Sequence, residues 1–301
     1  MTRATISRRR ALGYALGAHA AWGSMPLYLM LVHDVPVFEY VAWRTLFTLP
    51  ICVAAIAFFS GWTELRLVLA DRRAMLTLAA SAAMVAINWC MYVWAIQSGH
   101  VYAASLGYYI LPLVMMLLGL VFLGERLTRV QWCAVALAGV GVSALAVGAL
   151  TTLWVSLTLG TTFAVYGLLR KTVAAGPLVG LAVESMLLAP VAIGYLAWSG
   201  VAGPGLVFGR DAIETAGIMA GGPMTAVPLI LFATAARAMP YTVIGFLQFL
   251  SPTVVFILGL TVFGEALKPA QLACFVLIWA AASLFTWELL RAPKPAPVVA
   301  G

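Results

Sequence analysis

The chain has 301 residues, of which 64% are hydrophobic and only 9% are Asp, Glu, Lys or Arg. So few charges cannot cover a water-soluble surface, so lipid is the solvent for most of the chain. The net charge of +7 does not point to nucleic acid, because the basic residues sit in short loops with no basic, aromatic-interleaved face.

Ten apolar segments follow in chain order: 11–32, 37–59, 74–96, 102–123, 131–149, 152–169, 178–199, 212–235, 241–263 and 271–290. Each is predicted to be a transmembrane helix, since an isolated span must satisfy its own backbone hydrogen bonds in lipid. The strand alternation of a barrel is absent. The loops at 60–73 and 200–211 are the longest polar stretches, and "RAPKPAPVVAG" is read as a disordered tail. The first segment opens with "SRRRALGYALGAHA", which is similar to an export signal with an Ala-x-Ala end at Ala18 and Ala20. Its apolar run continues to Leu31, long enough to be retained as a span.

Polar groups inside spans are costly and therefore informative. Span 1 carries His19 and Trp22. His19 is either a satisfied hydrogen-bonding group or a proton relay or ligand contact. Span 2 carries Glu39 and Arg44, the latter roughly 10 Å deep at 1.5 Å per residue. Arg44 is either an interface-seeking side chain paired with Glu39 or a headgroup, or a fixed cation for an anionic or zwitterionic substrate. Span 3 carries Asn88 followed by Trp89, and span 4 carries Tyr108. In span 7, Glu184 is either a structural partner or a proton-coupling carboxylate. Span 8 reads "GIMAGGPMTAVPLI", and Pro223 and Pro228 each remove a helical hydrogen bond, so this helix is expected to be kinked or broken and to supply a hinge. Gln248 sits in span 9. Asn88 and Gln248 fit interhelical hydrogen bonds or cavity contacts. Gly13 and Gly17, like Gly217 and Gly221, have the spacing of close helix packing. The four cysteines are far apart inside apolar runs and are read as packing residues. No Cys/His cluster implies a metal, and no cofactor is indicated.

With a cytoplasmic N-terminus, 14 of the 17 Lys and Arg residues fall on the cytoplasmic side. Only Arg210 and Lys268 face outward, and Arg44 lies within a span. This is a strong positive-inside bias, and it places both termini in the cytoplasm.

The chain also repeats itself at an offset of 140 residues. Between 112 and 131, nine of 20 positions match, including Pro112 with Pro252, Gly124-Glu125 with Gly264-Glu265, and Gln131 with Gln271. Pro50 and Pro190 keep the same register, as do Arg44 and Glu184, and Tyr108 and Gln248. The predicted organisation is therefore an N-terminal segment 1–10, a five-helix repeat 11–149, a second repeat 150–290 and a tail 291–301. Because each repeat has an odd number of spans, the second is inverted relative to the first. Inverted repeats with a midplane site between them belong to secondary transporters. In the Gly-Glu pairs, glycine is expected to end a helix in the left-handed region, with the glutamate beside the positive N-terminus of the next helix.

Seven stretches in order carry a family resemblance: "AWGSMPLY" (21–28), "FEYVAWR" (38–44), "NWCMYVWA" (88–95), "ASLGYYILPL" (104–113), "GLAVESMLLAP" (180–190), "TAVPLILF" (225–232) and "GFLQFLSPT" (245–253). Together they resemble the RarD branch of the EamA transporters, within the drug/metabolite transporter superfamily. The resemblance implies a ten-helix inverted-repeat transporter of the bacterial inner membrane, with a central cavity and small-metabolite export. It places the family's arginine, glutamate and glutamine on Arg44, Glu184 and Gln248. The chain departs from that pattern at Trp43, Ala103 and Leu111.

The expected function is thus secondary transport of a small metabolite, amino acid or drug-like molecule, with protons as a possible coupling ion. A lipid-linked substrate flippase, a membrane-embedded enzyme and a non-transporting sensor are the alternatives. No HExxH or GxSxG motif supports an enzyme, and no GxxxxGK[ST] loop supports ATP drive.

Overall fold

The computed structural model describes residues 6–98, 100–262, 264 and 269–291. All of its regular elements are helical: α1 (Arg8–Gly23), α2 (Met25–Leu29), α3 (Val37–Phe58), α4 (Trp62–Ala70), α5 (Arg72–Gln97), α6 (Val101–Leu123), α7 (Arg129–Ala146), α8 (Leu153–Thr172), α9 (Pro177–Val201), α10 (Ala212–Ala238), α11 (Tyr241–Leu247), α12 (Leu250–Thr261) and α13 (Pro269–Arg291), with short 3-10 turns at Met30–Val32 and Val147–Thr152. Ten helical stretches are long and apolar enough to cross a membrane. The chain is therefore an all-α polytopic membrane protein. Glu265, Lys268 and the tail from residue 292 lie outside the described residues.

The helices cluster into two compact units that do not follow the two sequence repeats. One unit is Met1–Glu125 with Thr151–Glu265, and the other is Arg126–Leu150 with Ala266–Gly301. The fifth and tenth spans thus form the second unit, and the other eight spans the first. In the second unit α7 packs along α13. A Cβ on Gly141 would lie 3.2 Å from Leu277 Cβ and 3.3 Å from the Cys274 carbonyl, so a glycine is what lets the backbones approach. Thr128 and Gln131 start α7 with a capping box: the Thr128 N–H donates to Gln131 Oε1 (3.0 Å) and the Gln131 N–H donates to Thr128 Oγ1 (3.2 Å). The glutamine of the repeated motif is thereby explained in the first copy.

Within the first unit, three sequence expectations are corrected. Span 8 is not broken: α10 runs through Pro223 and Pro228 without interruption. Hydroxyl groups serve its carbonyls in that region, from Tyr28 to Gly217 (2.7 Å), from Thr225 to Gly221 (2.7 Å) and from Thr48 to Gly222 (3.4 Å). The interruptions fall in spans 1 and 9 instead. Span 1 breaks at Ser24, before Pro26. Span 9 breaks at Gln248–Phe249, because Pro252 cannot donate to the Gln248 carbonyl and Ser251 N–H takes its place at 3.3 Å. The two interrupted spans touch: a Cβ on Gly23 would fall 2.5 Å from Val254 Cβ.

The second correction concerns the loop at 60–73, which contains helix α4. Leu65 and Val68 are its buried residues, while the Glu64 carboxylate accepts the Gly176 N–H at 2.6 Å and so caps the start of α9.

The third concerns the Gly-Glu motif. Gly124 and Gly264 both adopt the left-handed conformation, each with φ of 63°, as the sequence indicates. Glu125, however, does not cap the next helix. Its carboxylate accepts the Tyr241 N–H (2.5 Å) and the Thr242 N–H (2.8 Å) at the start of α11, on the other repeat. Gly119 leaves the space for it: a Cβ there would sit 2.8 Å from Glu125 Oε2 and 3.0 Å from Thr242 Cγ2.

Several residues counted as topology signals also close helix ends. Lys171 Nζ donates to the carbonyls of Ala236 and Met239, both at 2.6 Å. Arg237 Nη1 donates to those of Val173 (2.8 Å) and Ala175 (2.7 Å). The cations thus complete the unsatisfied C-terminal carbonyls of helices α8 and α10.

Candidate functional site

Helices α3, α5, α9 and α10 converge on a cavity in the first unit. Gly222 permits the approach of α10 to α3, since a Cβ there would lie 2.7 Å from the Phe47 carbonyl oxygen. The cavity wall carries Thr45, Thr48, Trp89, Glu184, Ser185 and Thr225. Val85, Leu181, Leu188 and Leu229 complete it. Its free volume is about 10 Å³, close to the room one water needs.

Arg44 is fixed against this wall. Its Nε donates to Thr225 Oγ1 at 2.9 Å, and its guanidinium carbon lies 4.0 Å from the Trp89 ring centroid and 5.6 Å from that of Tyr40. A cation held over an aromatic face gains about 0.5–2 kcal/mol. Among the described residues Arg44 makes no ion pair, whereas Arg170 pairs with Glu184. Glu39, the partner offered for it by the sequence, is engaged elsewhere. That carboxylate is fully buried and accepts the Val207 N–H (2.9 and 3.0 Å) and the Phe208 N–H (3.0 Å), tying down the connection before α10.

Glu184 also has its own partners. Ser81 Oγ donates to Oε1 at 2.6 Å, and Arg170 Nη1 lies 3.6 Å from the same oxygen. Its Oε2 is buried and has no hydrogen-bond partner. Arg170 is the residue that sequence reasoning missed. It had the appearance of a cytoplasmic loop cation, yet it is 1% exposed, because α8 continues to Thr172 and turns it into the protein. Its Nη2 donates to the Pro177 carbonyl at 2.7 Å. Gly180, four residues before Glu184, is the signal that was available. A Cβ at Gly180 would clash with Arg170 Nη1, so only glycine leaves room for the guanidinium. Ser81, Thr45, Thr48, Ser185 and Thr225 were missed too, since small hydroxyls inside spans carry no distinct sequence signal.

Of the remaining candidates, the cavity takes only Trp89. Asn88, on the adjacent turn position, is a clamp between helices: its Nδ2 donates to the Leu159 carbonyl (2.8 Å) and to Thr162 Oγ1 (3.0 Å) of α8. Tyr108 stands edge-on to Tyr92, 5.6 Å between centroids. Trp22 packs against Phe163 and Phe232, 5.5 Å from each. His19 Nδ1 lies 3.2 Å from Ser251 Oγ, and the Ser251 hydroxyl donates to the His19 carbonyl at 3.2 Å, joining the two interrupted spans. Gln248 is buried at the break in span 9. Pro223 and Pro228 flank Thr225, the hydroxyl bound by Arg44. Trp43, one of the departures from the family pattern, stacks on Phe208 at 4.4 Å.

Comparison with known proteins places this geometry. Residues 9–147 match the model of the EamA-like transporter family. An uncharacterized transporter of Pseudomonas aeruginosa is 40% identical over 97% of this chain and 99% of its own. Protein RarD of Streptomyces exfoliatus is 37% identical over 97% of this chain and 93% of its own, and protein RarD of Escherichia coli is 34% identical over 94% and 95%. A protein of known crystal structure shares the fold, with a TM-score of 0.72 at 18% identity, over 95% of this chain and all of that one. A polytopic helical membrane protein with near-full-length relatives of this kind belongs to the RarD branch of the EamA-like transporter family.

Proposed function

We propose that the chain is a secondary transporter that exports a small metabolite across the bacterial inner membrane by alternating access. In this reading both termini are cytoplasmic, the halves 11–149 and 150–290 are inverted copies, and the cavity among α3, α5, α9 and α10 is the substrate site. One observation carries the proposal: Arg44 is a cation deep in a span, oriented by Trp89 and Thr225 and without an ion-pair partner among the described residues. A charge in that position is costly, and a substrate anion is the partner it lacks. Glu184, on the same cavity wall, is the group that links transport to protons. His19 and Glu39 have structural work instead, at Ser251 and at the Val207–Phe208 amides. In this reading the cavity, with room for about one water, is the closed state, and bending of α10 about Pro223 and Pro228 moves Thr225 relative to Arg44 and opens it to a substrate.

The test is transport by Arg44→Ala in proteoliposomes, with membrane insertion and thermal unfolding measured alongside. Transport is expected to vanish while the protein still inserts and unfolds cooperatively. Retained transport removes Arg44 from the site. Glu184→Gln separates the proton role: it is expected to keep substrate exchange and to lose accumulation driven by a pH gradient.

A further inference from the structure

The charges around the cavity constrain what it holds. Two guanidiniums, Arg44 and Arg170, stand against one carboxylate, Glu184. Arg170 Nη2 is bonded to the Pro177 carbonyl and its Nη1 faces Glu184 at 3.6 Å, while Nε and Nη1 are buried without a hydrogen-bond partner and Gly180 closes over the group. It is enclosed and absent from the cavity wall, so it does not touch a substrate there, but it sets the charge of the region. With Glu184 ionised, Arg170 balances it and the positive charge of Arg44 remains as a surplus of one. Away from bulk water such a surplus is screened weakly, and the species that removes it carries one net negative charge. A zwitterion leaves the surplus in place and a cation adds to it.

The second constraint is Glu184 Oε2, which is buried and lacks a hydrogen-bond donor, on a residue that lines the cavity. A buried acceptor without a donor is costly, so a ligand that brings a hydroxyl or amide N–H is favoured over one that does not. The third is the apolar part of the wall, formed by Val85, Leu181, Leu188 and Leu229.

We propose that the transported substrate is a small organic monoanion, with one carboxylate or equivalent anionic group for Arg44, a neutral hydrogen-bond donor for Glu184 and an apolar body, and that Arg170 is the positioning residue that sets this charge preference. The proposal rests on the transport reading of the same cavity.

The test uses the purified full-length protein and four molecules of similar shape: leucate (monoanion with a hydroxyl), isocaproate (monoanion without one), leucine (zwitterion) and leucinol (cation). Binding to the folded state raises its thermal stability, so each affinity is read as a thermal shift against concentration. Leucate is expected to bind best, and isocaproate about tenfold more weakly, the size of one hydrogen bond to a charged group. Leucine and leucinol are expected to bind more weakly still. In Arg170→Gln the surplus is gone and the preference moves from leucate toward leucine. If that variant does not fold, the double variant Arg170→Gln with Glu184→Gln carries the test. It restores the surplus and removes the acceptor charge, so leucate and isocaproate should bind alike and both ahead of leucine. Preference for leucine or leucinol in the unaltered protein, lost in Arg44→Ala, overturns the monoanion class and leaves the transport site standing. No shift with any of the four overturns the class as well. A broad metabolite panel that also yields no Arg44-dependent hit then brings down the transport reading itself.

Discussion

Arg44 and Arg170 are both arginines inside spans, and the protein holds them in opposite ways. Arg170 is enclosed, paired with Glu184 and bonded to the Pro177 carbonyl. Arg44 is partly exposed, aligned by a ring face and a single hydroxyl. A charge that serves the fold is given its counter-ion by the protein. In the transport proposal Arg44 serves a ligand, and it is oriented by neutral groups and left with its field intact. The distinction is visible only when both environments are compared, because the residue type is shared.

The comparison can be broken most decisively at Arg170. Replacement by alanine leaves Glu184 buried and unpaired, which costs about 3–5 kcal/mol; a melting temperature near that of the unaltered protein in detergent would show that the pair is not structural. Ser81→Ala comes next, since it removes a hydrogen bond to a charged group worth about 1.5–3 kcal/mol. Gly180→Ala forces the guanidinium aside and is expected to cost about 1–3 kcal/mol. In an Arg170→Ala background that cost should largely disappear, and a strictly additive double-mutant cycle would refute the steric account. The smallest stability effect belongs to Arg44→Ala, less than about 2 kcal/mol from the lost ring contact. It should nevertheless have the largest effect on transport, and a large loss of stability there would merge the two arginines into one class.

The sequence makes the ten spans legible because lipid imposes a simple rule, a long apolar run with its backbone bonds satisfied internally. The predicted segments and the observed helices differ mainly at their ends. Those ends mattered: three extra residues of α8, from 170 to 172, move Arg170 from a loop into the interior. Proline content misplaced the helix breaks. Pro112 and Pro252 occupy matching positions of the repeat, yet α6 passes through the first without interruption and span 9 splits before the second. The residues just before the two prolines differ, Tyr108, Tyr109 and Leu111 against Gln248, Phe249 and Ser251, and the packing adds to that difference. A Cβ on Gly245 would lie 3.0 Å from the Pro112 carbonyl oxygen and 3.0 Å from Met115 Cβ, so α11 is pressed against α6 at that level. At the cavity, Arg44, Trp89 and Glu184 were legible as polar or aromatic residues inside spans. The hydroxyls of Thr45, Thr48, Ser185 and Thr225 were not, because such residues also bond their own helix backbone, as Thr45 and Thr48 do to Val41 and Arg44. Asn88 and Glu39 show the converse, since a buried polar residue there secures a neighbouring backbone.

The Glu125 contact has a bearing on how the protein is made. Glu125 and the amides it grips are separated by 116 and 117 residues, so during synthesis four further spans are made between the carboxylate and α11. For that interval the Glu125 carboxylate lacks the two amides it holds in the finished protein. This clasp therefore closes only after the ninth span has arrived, and the end of α6 reaches its final contacts late in synthesis.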